Sequence, residues 1–204
     1  MNVITVTEGA DRFTANAYLL SGEVPTLVDV GTWPPALDKV TEHVDTLEAL
    51  VVTHSHHDHI ELLPEAIDRF DPTVYAFGGD LDDAIRVEDG DTIPMGDHTF
   101  EVIHTPGHAD DHISLVGETA LFSGDVVVYN DGAFDDGSFG RTDLPGQSRE
   151  VLIRSIERLL ERLPESVQTM YPGHGSVYSS DVHAVIERAL DRAKLHEPKY
   201  PEEA

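Results

Sequence analysis

The sequence predicts an α/β fold of stacked layers, with strands covered by helices in each half of the chain. Three observations point there. Each half reads as short apolar, β-branched runs followed by stretches of helical spacing. The 204 residues fall in the size range of one domain and are enough to bury a sizeable core. No Pro/Gly/Ser-rich linker, low-complexity tract or clear internal repeat divides the chain, so residues 1–204 are expected to form a single domain. Periodicity alone fits other α/β sandwiches equally well.

In chain order, strands are expected near residues 2–7, 13–20 and 26–30, then a helix near 35–45. Asp29 ends the third, Val-rich run. Ala49-Leu50-Val51-Val52-Thr53 has the apolar, β-branched character of a buried strand. Downstream, Ile60, Leu63, Ile67 and Phe70 recur at three- and four-residue spacing. That is a helix whose Pro64 is acceptable only near its first turn. The loop between this strand and this helix carries His54-Ser55-His56-His57-Asp58-His59, which is H-x-H-x-D-H.

In the second half, strands at Phe100 to Ile103, Ala120 to Phe122 and Val167 to Met170 each run into a small-residue turn. Those turns are Thr105-Pro106-Gly107-His108, Ser123-Gly124-Asp125 and Tyr171-Pro172-Gly173-His174-Gly175. Ser148 caps a helix with Leu152, Ile156, Leu159, Leu160 and Leu163 on one face, and Pro164 stops it. A last amphipathic helix runs from about Asp181 to Leu195. Both helices read as packing, without a catalytic role.

Four imidazoles and one carboxylate within six consecutive positions form a metal-ligand cluster. Neutral imidazole and carboxylate suit zinc, iron or manganese. A single His after Pro-Gly is a weak signal. Three further strand ends that each deliver His or Asp make the joint signal strong.

The ordered set His54, His56, Asp58, His59, His108, Asp125 and His174 resembles the metallo-β-lactamase superfamily over essentially the whole chain. The resemblance implies a four-layer αβ/βα sandwich with a two-metal site at one edge of the paired sheets. It also implies that His54, His56 and His108 hold one ion, that Asp58, His59 and His174 hold the other, and that Asp125 bridges them. His57 matches a wildcard position. The segment Phe139-Gly140-Arg141-Thr142-Asp143-Leu144-Pro145-Gly146 resembles the hydroxyacylglutathione hydrolase (glyoxalase II)-like branch, and persulfide dioxygenases share much of it. Two departures stand against a full carry-over. Ile60-Glu61-Leu62 replaces the usual glycine pair, and about thirty residues follow His174 where the glyoxalase enzymes carry a glutathione-binding helical extension.

The expected cofactor is a pair of divalent ions, zinc first, with iron or manganese as alternatives. Two such ions about 3.5 to 4 Å apart lower the pKa of a shared water and present hydroxide to a carbonyl. Asp58 is the expected catalytic carboxylate, hydrogen-bonding that nucleophile. A thioester fits because a thiol of pKa about 8.5 leaves as thiolate without strong acid help. Arg141 is expected to pair with Asp143, with meeting a substrate carboxylate as its alternative role, and Asp29 to brace the site. Thr53, Ser55 and Thr105 are placed to orient imidazoles, while His104 and His112 read as structural or solvated. The alternatives are a mononuclear iron persulfide dioxygenase using His54, His108 and Asp125, a lactonase or phosphodiesterase, and a non-catalytic metal-stabilised module.

Thirty-nine acidic against thirteen basic residues give a formal charge of −26, with Lys39, Lys194 and Lys199 the only lysines. Such a surface repels polyanions, so a small-molecule substrate is expected and nucleic acid is not. Its self-repulsion needs salt to be screened, which suggests an extreme halophile. The absence of cysteine excludes disulfides and thiolate nucleophiles. No stretch approaches eighteen apolar residues and no export signal opens the chain, so a cytoplasmic protein with no membrane partner is expected. Oligomeric state leaves no mark on the sequence.

Overall fold

The structure is a computed structural model that describes residues 1–78, 81 and 84–197. The chain divides into two compact units, Met1–Val102 and Ile103–Ala204.

The first unit is built on a mixed sheet ordered β1-β2-β3-β4-β5-β6. Its strands are β1 (Asn2–Thr5), β2 (Tyr18–Ser21), β3 (Thr26–Val28), β4 (Ala49–Val51), β5 (Thr73–Ala76) and β6 (Ile85–Arg86). β1 to β3 pair antiparallel, while β3 to β6 pair parallel. A parallel pair needs a long crossover. Helix α1 (Pro35–His43) supplies it between β3 and β4, and the short α2 (His57–Ile60) with α3 (Leu63–Phe70) supplies it between β4 and β5. The central β3 and β4 are buried at every position, as their β-branched and apolar residues allow. Leu19, Leu27, Leu37, Val40, Leu50 and Leu63 form the core of this unit. Full burial of such a side chain contributes about 1.5–3 kcal/mol.

β7 (Thr92–Met95) and β8 (His98–His104) form a hairpin, and β8 runs on into the second unit. The second sheet is ordered β12-β11-β10-β9-β8-β7, with β9 (Ile113–Val116), β10 (Ala120–Gly124), β11 (Thr169–Pro172) and β12 (Tyr178–Ser179). β10 and β11 are parallel, and α4 (Arg149–Arg162) lies in the connection between them. Leu152, Ile156 and Leu159 of α4 share a core with Val185 and Ile186 of α5 (Val182–Lys194) and with Leu121 of β10. Ser148 caps α4 by accepting from the Val151 N–H, and Asp181 caps α5 by accepting from Ala184. Two mixed sheets with their helices are the content of the αβ/βα sandwich that the resemblance implied.

Two local expectations change. Residues 13–17 form no strand, although Ala15 and Ala17 are fully buried. Their backbone groups bond outside any ladder, Ala15 N–H to the Asp58 carbonyl and Ala17 N–H to Thr7 Oγ1. The histidine run is also not wholly a loop, since His57–Ile60 closes one helical turn. Among the described residues, no helix is long and apolar enough to cross a membrane.

Candidate metal centre

In the first unit, the candidate ligands hang on the ends of β3 and β4. Asp29 follows β3 with φ 56, a left-handed conformation that Asp tolerates better than most residues. The fold holds it there. Its N–H donates to the Val51 carbonyl at 2.9 Å, and its carboxylate accepts from the Thr53 N–H at 2.8 Å and the Thr53 hydroxyl at 2.7 Å.

The same carboxylate lies 2.8 Å from His59 Nδ1, both groups being buried. A carboxylate only accepts, so Nδ1 carries the imidazole proton and Nε2 keeps its lone pair. The Thr53 hydrogen is committed to Asp29, so its oxygen, 3.2 Å from His54 Nδ1, accepts there. His54 Nε2 thus bears a lone pair as well, and it sits 3.0 Å from His56 Nδ1. Ring centroids lie 4.6 Å apart for His54 and His56 and 4.0 Å for His54 and His59.

The half-buried Asp58 offers a carboxylate oxygen within 4.8 Å of a His59 nitrogen. The turn that carries both is pinned by Val30 and Gly31, whose N–H groups donate to the His59 carbonyl at 3.0 and 3.2 Å. His57 is largely exposed, 3.4 Å from Glu61, in keeping with its wildcard position.

The second unit gathers His108, Asp125 and His174. Gly107 has φ 126 and lies so close to α4 that a Cβ would collide with the Leu152 backbone. The Ser148 N–H donates to the Gly107 carbonyl at 2.8 Å and the Ser155 hydroxyl to the Pro106 carbonyl at 2.6 Å, tying this turn to α4. His108 Nδ1 donates to the Arg141 carbonyl at 2.8 Å, which leaves Nε2 facing Asp125 Oδ2 at 3.3 Å. His174 Nε2 is 3.5 Å from the same carboxylate oxygen. His108 Nε2 thus offers a lone pair beside the buried Asp125 carboxylate, and the partly exposed His174 approaches the same oxygen. A divalent cation would satisfy such a set, and the donors fit zinc, iron or manganese by type.

Neighbouring groups divide into braces and bystanders. His112 Nε2 accepts from the Asp125 N–H at 2.8 Å and its Nδ1 is 2.8 Å from Thr105 Oγ1, so both nitrogens are engaged in holding Asp125. His104 bonds the Asp110 carbonyl. The Arg141 side chain forms a two-pronged pair with Asp143 at 2.9 and 2.6 Å and holds that carboxyl below its ordinary pKa range. Thr142 accepts from Arg149, whose guanidinium lies 4.4 Å from the Phe139 ring centre. Sequence reasoning weighed the Arg141 side chain and missed its carbonyl. It also missed Gly140, whose N–H donates to the Asp125 carbonyl at 2.7 Å. A main-chain role leaves no residue-type signal beyond the glycine itself.

The family model of the metallo-beta-lactamase superfamily matches residues 10–83 and 76–174. The chain belongs to this superfamily. Within it, the chain is similar to hydroxyacylglutathione hydrolases and to ETHE1. It is 34% identical over 152 residues to hydroxyacylglutathione hydrolase of Vibrio cholerae serotype O1, a match covering 72% of this chain and 56% of that one. It spans about half the length of the curated relatives it matches. The crystal structure of ETHE1 from Myxococcus xanthus superposes with a TM-score of 0.73 at 29% identity, covering 93% of this chain and 83% of that chain. TTHA1623 in a di-iron-bound form gives a TM-score of 0.65 at 28% identity, over 86% of this chain and 93% of that chain.

Proposed function

We propose that this chain is a metal-dependent hydrolase that cleaves a thioester of the hydroxyacyl-thiol type, its two units acting as one metallo-β-lactamase-like domain. In this reading His54, His56 and His108 would hold one divalent ion, Asp58, His59 and His174 would hold a second, and Asp125 would serve both. Zinc is the first choice, with iron or manganese as alternatives. The observation that carries the reading is the set of proton positions. His54, His59 and His108 each hold Nδ1–H on a fixed oxygen, which leaves Nε2 of each ring with its lone pair. The similarity to hydroxyacylglutathione hydrolase supports a thioester as substrate class.

When bound, divalent ions supply Lewis acidity and lower the pKa of water toward neutrality. The chain's own residues do the rest. Asp58 orients the attacking water toward the carbonyl carbon and takes its proton as the new C–O bond forms and the carbonyl electron pair moves onto its oxygen. The C–S bond then breaks and the thiolate departs with its electron pair. With a thiol pKa of about 8.5, departure needs no dedicated acid. Arg141 is occupied by Asp143, so it fixes its loop rather than clamping a substrate carboxylate.

A second reading is favoured by the likeness to ETHE1: a mononuclear iron persulfide dioxygenase using His54, His108 and Asp125. The formal charge of −26 supports a small-molecule substrate, no nucleic-acid partner, and a place in the cytoplasm of an extreme halophile. Protein purified in molar KCl is to be analysed for metals by elemental mass spectrometry and assayed for hydroxyacyl-thioester cleavage beside persulfide-dependent oxygen uptake. Two ions with thioester cleavage are expected. A single iron with oxygen uptake selects the second reading. A full metal complement without either activity overturns both and moves the reaction to lactone or phosphodiester hydrolysis.

A further inference from the structure

We propose that the two-residue segment Gly140-Arg141 is the element that orients His108 and Asp125 for metal, so that the Gly140 N–H and the main-chain carbonyl of Arg141 are positioning groups. The inference rests on the metal-centre reading above. Two consecutive residues reach both candidate ligands: the Gly140 N–H donates to the Asp125 carbonyl at 2.7 Å, and the Arg141 carbonyl accepts from His108 Nδ1 at 2.8 Å. The first bond holds the Asp125 backbone, whose own N–H is already held by His112. The second fixes the His108 tautomer and turns its Nε2 to the Asp125 carboxylate at 3.3 Å. Tautomer and ring direction are the properties through which such outlying partners tune metal affinity.

Gly140 is there for space, not for a left-handed φ. A Cβ at this position would collide with the Asp125 carbonyl oxygen and lie 2.7 Å from His108 Nδ1 and 3.0 Å from its Cγ. Any side chain must therefore push the segment off both ligands at once. On its other side the segment cannot yield easily. Phe139 is fully buried under the Arg149 guanidinium. Arg188 donates to the Asp136 carbonyl at 2.8 Å, and Arg192 lies 2.8 Å from the Asp136 carboxylate, tying the preceding loop to α5. The Arg141 side chain takes no part, because it is turned to Asp143.

Cobalt(II) is the probe, with affinity read by chelator competition and ligand geometry by the d–d absorption bands. Gly140→Ala is expected to weaken Co²⁺ binding by about 10- to 100-fold and to shift the bands. Arg141→Ala, which keeps the carbonyl, is expected to stay within about twofold of the parent. In the metal-free parent protein, ¹⁵N NMR is expected to place the neutral His108 proton on Nδ1, with scalar coupling to the Arg141 carbonyl carbon. Unchanged Co²⁺ affinity in Gly140→Ala, an equal loss in Arg141→Ala, or a proton on Nε2 overturns the inference. If the parent binds no Co²⁺, the metal reading fails, and the NMR tautomer alone decides the positioning role. If circular dichroism shows that Gly140→Ala does not fold, the parent tautomer and the Arg141→Ala affinity decide it.

Discussion

Asp29 sits in a left-handed backbone conformation at φ 56, a choice that costs a non-glycine residue about 1–2 kcal/mol. The cost is offset by the three groups its carboxylate binds, the Thr53 N–H, the Thr53 hydroxyl and His59 Nδ1. Replacing it with alanine strands a buried donor, at about 1–3 kcal/mol, and releases the His59 tautomer. Asp29→Ala should therefore lower the urea midpoint and weaken metal binding by about 10- to 100-fold. Unchanged metal affinity in a folded Asp29→Ala protein would refute its bracing role. The proposed ligands should behave differently from their braces. His108→Ala or Asp125→Asn should remove most turnover while leaving the helical circular dichroism signal largely intact, and parental turnover in either variant would withdraw that residue from the centre.

Secondary elements set where these donors stand. α4 buries Leu152, Ile156 and Leu159, and its N-cap Ser148 and its Ser155 carry the bonds that hold the turn before His108. Leu159→Ala should destabilise the protein by about 2–5 kcal/mol through the cavity it leaves. Ser148→Ala should cost about 1 kcal/mol by uncapping the helix. Urea denaturation measures both, and the second variant, next to the tether on the Gly107 carbonyl, reports how firmly α4 grips the metal turn.

α5 holds the loop before Phe139 through Asp136, whose pKa Arg192 lowers from the ordinary 3.8. A depressed carboxylate contributes stability that is present above its unfolded pKa and lost as pH falls through its folded value. The contribution is small because the pair is exposed. Thermal melts between pH 7 and 3 should show Asp136→Asn losing less stability in acid than the parent does, and parallel melting curves would count against the tether.

The element boundaries show how far sequence reading reaches. β4, the helix capped by Ser148 and the final helix stand where apolar spacing and capping residues put them, because those signals are local. The strand expected near residues 13–20 begins only at Tyr18. Burial of Ala15 and Ala17 comes from bonds to Asp58 and Thr7, partners 43 and 10 residues away that no period encodes.

Over the whole molecule, the −26 charge is the dominant electrostatic fact. At about 1 M salt the Debye length falls to about 3 Å and like-charge repulsion between surface carboxylates is largely screened, whereas in dilute buffer it extends across the surface. Dialysis from molar KCl into millimolar buffer should reduce the helical circular dichroism signal, with recovery on restoring salt. A signal that does not change on dialysis would remove the argument for a halophilic protein.

Composition, spacing and residue type were enough to name the donors, the turns that carry them and the family they resemble, because each is written in a few neighbouring positions. The folded chain alone decided which nitrogen of His59 and of His108 keeps its proton. That choice depends on an oxygen brought from far along the chain, from Asp29 to His59 across 30 positions and from Arg141 to His108 across 33. A lone pair is aimed by what binds the opposite side of its ring, and only packing determines what that is.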